Sequence, residues 1–189
     1  MTVPAAIAMG CSAGGVDALK AVIGGLHATL RQTVVVCCHS SSDTVGLLCE
    51  VLGRTSQLPV IEATERHYAQ PGVVQLAPTG YHLLVENDLH FSLSIDSRVN
   101  HSRPSIDVLF TSAADVWRNA LIGVVLTGGN NDGAAGLRRI RQLGGVAIVQ
   151  SPQDAFAATM PQAALDLAGA DHCVPLEDIA PLINRLCMA

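Results

Sequence analysis

The sequence predicts an α/β fold: a doubly wound, mainly parallel sheet with helices on both faces and an inserted antiparallel meander. Three observations predict it. Of the 189 residues, 49% are apolar and only 3% aromatic, and 17 are glycine, which suits Val-, Ile- and Ala-rich buried strands joined by tight turns. Apolar runs of strand length alternate with segments of helical period, the pattern of wound α/β chains. No repeat, low-complexity tract or linker divides the chain, so residues 1–189 read as a single domain with room for a substantial core.

The elements follow in order. Ala5–Met9 is a first strand and Val16–Leu26 the helix after it. Thr33–Cys38, rich in β-branched residues, is a second strand. Asp43 is placed to cap a helix over Thr44–Gly53, its carboxylate accepting free first-turn amides. Val73–Ala77, His82–Glu86 and His90–Ile95 are short runs separated by Pro78-Thr79-Gly80 and Asn87-Asp88, turn-forming separators that predict an antiparallel meander. Ser105 caps a helix running through Trp117, with Asp107 near its positive end. Ala120–Thr127 is a further buried strand, followed by a Gly/Asn loop and a helix over Ala134–Leu143. Val146–Val149 is a strand, Pro161 reads as the first residue of a helix, and Leu176–Cys187 closes the chain helically.

Composition excludes several classes. A net charge of −5 with no basic stripe argues against nucleic acid and against anionic lipid surfaces. The six cysteines, at 11, 37, 38, 49, 173 and 187, form no C-x-x-C pair and suit neither a zinc clip nor a disulfide framework. Cys37 and Cys38 end an apolar strand, where reduced cysteine acts as a small hydrophobe, and this implies a reducing compartment. The N-terminus lacks the Lys or Arg of a signal peptide, and no uncharged apolar run spans a bilayer. A cytoplasmic protein without direct membrane insertion is expected.

Ligands and catalytic groups in wound α/β folds collect beyond the carboxyl ends of the strands, and three segments there carry suitable residues. Gly10-Cys11-Ser12-Ala13-Gly14-Gly15 fits G-x-S-x-G between a strand and a helix, a turn that exposes a serine beside free helix amides. Taken alone, it fits a phosphate-binding or plain tight turn equally well. A serine nucleophile needs a base, usually histidine. Of seven histidines, only His39 directly follows a long parallel-type strand. His27 falls at a helix end, where it is expected on the terminal carbonyls, and the others lie in loops and meander strands. Leu126-Thr127-Gly128-Gly129-Asn130-Asn131-Asp132-Gly133 supplies Asp132, which can orient an imidazole or cap the helix beginning near Gly133; spacing does not choose between these.

Together these segments resemble the catalytic domain of chemotaxis receptor protein-glutamate methylesterases, the CheB type. The likeness runs in order through Ile7–Gly15, the strand ending in His39, Asn100–Phe110 with its Arg103-Pro104-Ser105, Leu126–Gly136 and Met160-Pro161. It implies a triad of Ser12, His39 and Asp132, with no metal or organic cofactor. The implied activity removes γ-methyl esters from glutamates of methyl-accepting chemotaxis receptors and releases methanol, with receptor glutamine deamidation as a companion. By the same resemblance Ala13 and Gly129 are candidates for oxyanion amides. Arg103 could meet an acidic receptor surface or brace its own loop.

The chain departs from the family pattern in two places. Ser40-Ser41-Ser42-Asp43-Thr44 stands where relatives carry a Met-Pro-Pro-like run and an aromatic. Gly129 and Asn130 stand where methionine and glycine are common. These departures keep two other readings open: a related serine esterase acting on another protein or a small methyl ester, and an interaction module that retained the fold. The resemblance covers the catalytic domain and not the phosphorylatable receiver domain of two-domain relatives. Gating in cis is therefore not expected, and a separate receiver or methyltransferase protein is a candidate regulatory partner.

Overall fold

In the computed structural model, which describes residues 3–39 and 45–188, seven parallel strands form one sheet in the order β3-β4-β2-β1-β7-β8-β9. These are β1 (Ala6–Cys11), β2 (Thr33–Cys38), β3 (Val60–Glu62), β4 (Val74–Leu76), β7 (Leu121–Val125), β8 (Val146–Gln150) and β9 (His172–Val174). A separate antiparallel hairpin joins β5 (His82–Val85) to β6 (Phe91–Ser94). The helices are α1 (Gly15–Gly24), α2 (Gly46–Gly53), α3 (Ile106–Trp117), α4 (Ala134–Gln142), α5 (Thr159–Ala168) and α6 (Leu176–Met188).

Alternation along the strands sorts side chains to two cores. Ile7, Met9 and Cys11 of β1 join Leu19 and Ile23 of α1, Leu52 of α2 and Ile179 and Ile183 of α6. Ala6 and Ala8 face Ile106, Leu109 and Phe110 of α3, Leu137 and Ile140 of α4, and the hairpin residues Leu83 and Phe91. The chain thus winds outward from β1 in both directions. β2 lies on one side of it and β7 on the other, which makes the β1/β7 boundary the topological switch point.

Several local expectations differ from the structure. The run at Val73–Ala77 does not begin a meander: Val74 pairs in parallel with Val34 and with Val60, so the antiparallel sheet among the described residues is the β5/β6 hairpin. A short apolar run signals burial but not its partner or direction. Strands β3 and β9, each of three residues, are too short for a periodic signal. Pro161 is the third residue of α5 rather than the first; its missing N–H falls among first-turn amides that have no helical partner. His27 lies beyond the end of α1, with Nδ1 2.8 Å from Thr29 Oγ1 and its amide donating to Asn184 Oδ1 at 3.1 Å. The cap expected from Asp43 lies outside the described residues, and α2 begins at Gly46. Ser105 does cap α3, accepting from the Val108 amide at 3.4 Å.

Candidate active site

Ser12 occupies the turn between β1 and α1, where the Gly15 amide donates to its carbonyl at 2.7 Å. The two glycines of the G-x-S-x-G motif serve different ends. Gly14 adopts φ +75°, the left-handed region that a side chain disfavours. Gly10 makes room: a Cβ there would lie 2.3 Å from Ile106 Cγ2. Ile106 opens α3, so this close approach brings the N-terminus of that helix to the end of β1.

Register fixes the neighbours of Ser12. Cys11 pairs with Cys38 of β2, and Gly10 with Val125 of β7, so the next residues on each strand converge. The His39 amide donates to the Cys11 carbonyl at 3.0 Å, and the Ser12 amide donates to the Thr127 carbonyl at 2.9 Å. Thr127 Oγ1 donates to the Ala13 carbonyl and accepts from the Ala157 amide, both at 2.8 Å. The Ser12 turn is therefore clamped between the ends of β2 and β7.

Asp132 lies in the loop before α4, fully buried. It does not cap α4, whose N-cap is Gly133 without a side-chain bond. Instead its carboxylate caps α3, accepting from the Ile106 amide at 2.7 Å and the Asp107 amide at 3.1 Å, where the helix dipole favours negative charge. Ser105 Oγ donates to it at 2.8 Å, Asn100 Nδ2 at 3.0 Å and His39 Nε2 at 2.8 Å. Burial is the largest single influence and pushes its carboxyl pKa up. The bonds from His39, Asn100, Ile106 and Ser105 together outweigh burial and hold it below the ordinary carboxylate value.

An ionised carboxylate only accepts hydrogen bonds, so Asp132 fixes the His39 proton on Nε2 and leaves Nδ1 as the acceptor. Ser102 Oγ lies 3.4 Å from that Nδ1. Among the described residues Ser12 makes no hydrogen bond to the ring, although each directly follows the last β1/β2 register pair, Cys11 with Cys38. Contacts of this kind are often long without substrate and tighten when it binds.

Asn100 and Ser102 were not singled out as site residues by sequence, and both come from one tight hairpin. Val99 and Ser102 exchange backbone hydrogen bonds at 2.8 and 3.1 Å around Asn100 and His101, which have φ +49° and +65°. Two consecutive left-handed residues make a type I′ turn, for which Asn is a favoured first residue. The Asn100-His101 dipeptide after Val99 was thus the available signal. The turn aims Asn100 at two carboxylates, since its Nδ2 also donates to Asp107 Oδ2 at 2.9 Å. Asp107 accepts the Gly136 amide at 2.7 Å as well. Burial first, and the nearby Asp132 charge after it, outweigh these bonds and raise the Asp107 carboxyl pKa.

The remaining candidates are placed as follows. Ala13 is exposed in the turn before α1, and Gly129 is exposed in the loop after β7 with nothing within 4 Å of where a Cβ would stand. Arg103 Nη1 donates to the carbonyls of Ile95 and Asp96 at 2.7 and 3.0 Å, which braces its own loop. Among the described residues no group of three or more His, Cys, Asp or Glu could hold a metal ion. No helix among them is long and apolar enough to cross a membrane.

Comparison with known proteins identifies the family. The family described as CheB methylesterase matches residues 7–183. A Leptospira interrogans protein, provisionally named protein-glutamate methylesterase/protein-glutamine glutaminase, is 43% identical over 181 residues, 96% of this chain and 94% of its own length. A Cupriavidus metallidurans protein named protein-glutamate methylesterase/protein-glutamine glutaminase 2 is 37% identical over 98% of this chain, which spans 55% of that relative. The crystal structure of the Thermotoga maritima CheB methylesterase catalytic domain superposes with a TM-score of 0.93 at 27% identity, covering 98% of this chain and 100% of that one. The chain belongs to the CheB methylesterase family.

Proposed function

We propose that this protein is a serine hydrolase that removes γ-methyl esters from glutamates of methyl-accepting chemotaxis receptors on the cytoplasmic side, releasing methanol. Glutamine deamidation at the same site is its companion activity. The observation that carries the reading is the His39–Asp132 pair, 2.8 Å apart, set beside Ser12 at the switch point of a family-defining fold.

In this mechanism His39 Nδ1 takes the proton of Ser12 Oγ as that oxygen attacks the ester carbonyl. Nε2–H stays on Asp132, so the imidazolium forms against a carboxylate already held by helix amides. Backbone amides of Ala13 and Gly129 face the tetrahedral oxyanion, each donor worth roughly 3 kcal/mol. His39 then gives its proton to the departing methoxide, which leaves as methanol. Water, deprotonated in turn by His39, attacks the acyl-enzyme, freeing Ser12 and a glutamate carboxylate. With glutamine the leaving group is ammonia. In this reading Arg103, through its bonds to the Ile95 and Asp96 carbonyls, braces the loop beside Asn100 and Ser102. A receiver or methyltransferase protein is the regulatory partner in this reading.

The test uses receptor membranes carrying labelled methyl esters, with methanol release followed for wild type and Ser12→Ala. Wild type releases methanol and the variant does not. If wild type releases none yet a fluorophosphonate labels Ser12, the substrate is another ester. If Ser12 is also unlabelled, the chain is an interaction module.

A further inference from the structure

We infer that Cys11 and Cys38 form a reversible dithiol–disulfide pair, closed by peroxide, directly beneath Ser12 and His39. The two are register partners at the ends of β1 and β2. Neighbouring strands lie about 4.8 Å apart, inside the roughly 4.4–6.8 Å window of disulfide Cα separations. Both side chains lie on the same face of the sheet, in or against the α1/α2/α6 core. Both sulfurs crowd one point: a Cβ on Gly15 would lie 2.6 Å from Cys11 Sγ and 3.5 Å from Cys38 Sγ. Gly15 opens α1, and a helix N-terminus favours thiolate.

The pair is asymmetric in the way that peroxide chemistry requires. Cys11 is fully buried, while Cys38 is partly exposed. The neighbouring Cys11 thiol lowers the Cys38 pKa against the opposing effect of burial, and Cys38 Sγ donates to the His39 carbonyl at 3.9 Å. Cys38 thiolate attacks a peroxide oxygen, the O–O bond breaks, and hydroxide leaves behind a sulfenic acid. The Cys11 thiol then attacks that sulfur, and its proton and the sulfenic hydroxyl leave as water. Two thiols are oxidised and one peroxide is reduced to water; a thiol reductant reverses the bond. Cys37 faces the opposite core, and Cys49 lies on α2, outside the β1/β2 register, so neither is the preferred partner.

Closure draws together the two strand ends from which Ser12 and His39 project, and the His39 amide rests on the Cys11 carbonyl at 3.0 Å. The effect on activity rests on the proposed esterase function; the cross-link does not. The test treats purified protein with hydrogen peroxide, alkylates it, digests with trypsin and maps peptides by mass spectrometry. Wild type yields the Cys11 peptide joined to the Cys38 peptide, two hydrogens lighter and separated by dithiothreitol. Cys37→Ala and Cys49→Ser retain the link, and Cys38→Ala loses it. A link surviving in Cys38→Ala, or Cys38 oxidised to sulfinic acid without a link, overturns the pairing. Fluorophosphonate labelling of Ser12 falls about a hundredfold in the linked form, as for a misplaced catalytic group, and recovers on reduction. Unchanged labelling of linked protein overturns the effect on the site. If reduced wild type is not labelled at all, the esterase reading fails while the cross-link map still decides the pairing.

Discussion

His39 Nε2 lies 2.8 Å from Asp132 Oδ2, which commits the ring nitrogen more remote from the backbone to the carboxylate and leaves Nδ1 as an acceptor. Asp132→Asn removes the acceptor that holds this tautomer and sets an amide against the donors of α3. Its kcat should fall about ten-thousandfold, the order seen when a triad loses its orienting carboxylate. Single-turnover hydrolysis of an activated ester checks this; a drop below tenfold would mean that Asp132 is only a helix cap.

Ser102 Oγ sits 3.4 Å from the same Nδ1, too long for a strong bond. Ser102→Ala should therefore lower kcat/KM by less than about tenfold, a loss under roughly 1.4 kcal/mol, and should leave fluorophosphonate labelling at Ser12. Labelling abolished in Ser102→Ala but kept in Ser12→Ala would make Ser102 the nucleophile.

Asn100 joins Asp107 to Asp132 through one amide nitrogen. Hydrogen bonds to charged groups are worth about 1.5–3 kcal/mol. Asn100→Ala should therefore cost about 2 kcal/mol and lower Tm by roughly 5 °C, measurable by calorimetry. An unchanged Tm would show that solvent replaces the bridge.

The two carboxylates contribute opposite signs to acid stability. Asp132 has a folded pKa below its unfolded value of about 3.9. Its stabilisation is present above that pH and disappears as pH falls through the folded value. Asp107 has a raised folded pKa, so its charged form costs stability above that pKa and the cost vanishes below the unfolded one. In urea titrations between about pH 2 and 6, Asp132→Asn should show a shallower acid loss than wild type. A steeper loss would contradict the assigned direction.

Gly10 and Ile106 are coupled by contact, since a Cβ at Gly10 would stand 2.3 Å from Ile106 Cγ2. Gly10→Ala should destabilise by about 1–3 kcal/mol through overpacking and move the α3 amides off Asp132, reducing activity. Ile106→Ala in the same chain should recover part of the activity, a coupling that a double-mutant cycle measures. Additive losses would exclude the contact as the cause.

The sequence by itself determined the wound α/β class and put Ser12, His39 and Asp132 at three strand ends, because apolar runs and the glycine-rich turns that stop them are local signals. The family resemblance carried by the same residues then narrowed the chemistry. Tertiary structure decided what those signals omit. Periodicity reports that Val74 is buried, but long-range pairing made its strand a parallel member of the main sheet. Spacing left Asp132 between capping and orienting roles; packing of Ile106 against Gly10 and Gly133 lets it cap α3 and hold His39 together. The ring nitrogen left free, the Asn100 bridge and the facing of Cys11 with Cys38 all depend on neighbours distant in sequence, which only the register of β2, β1 and β7 brings within reach of one another.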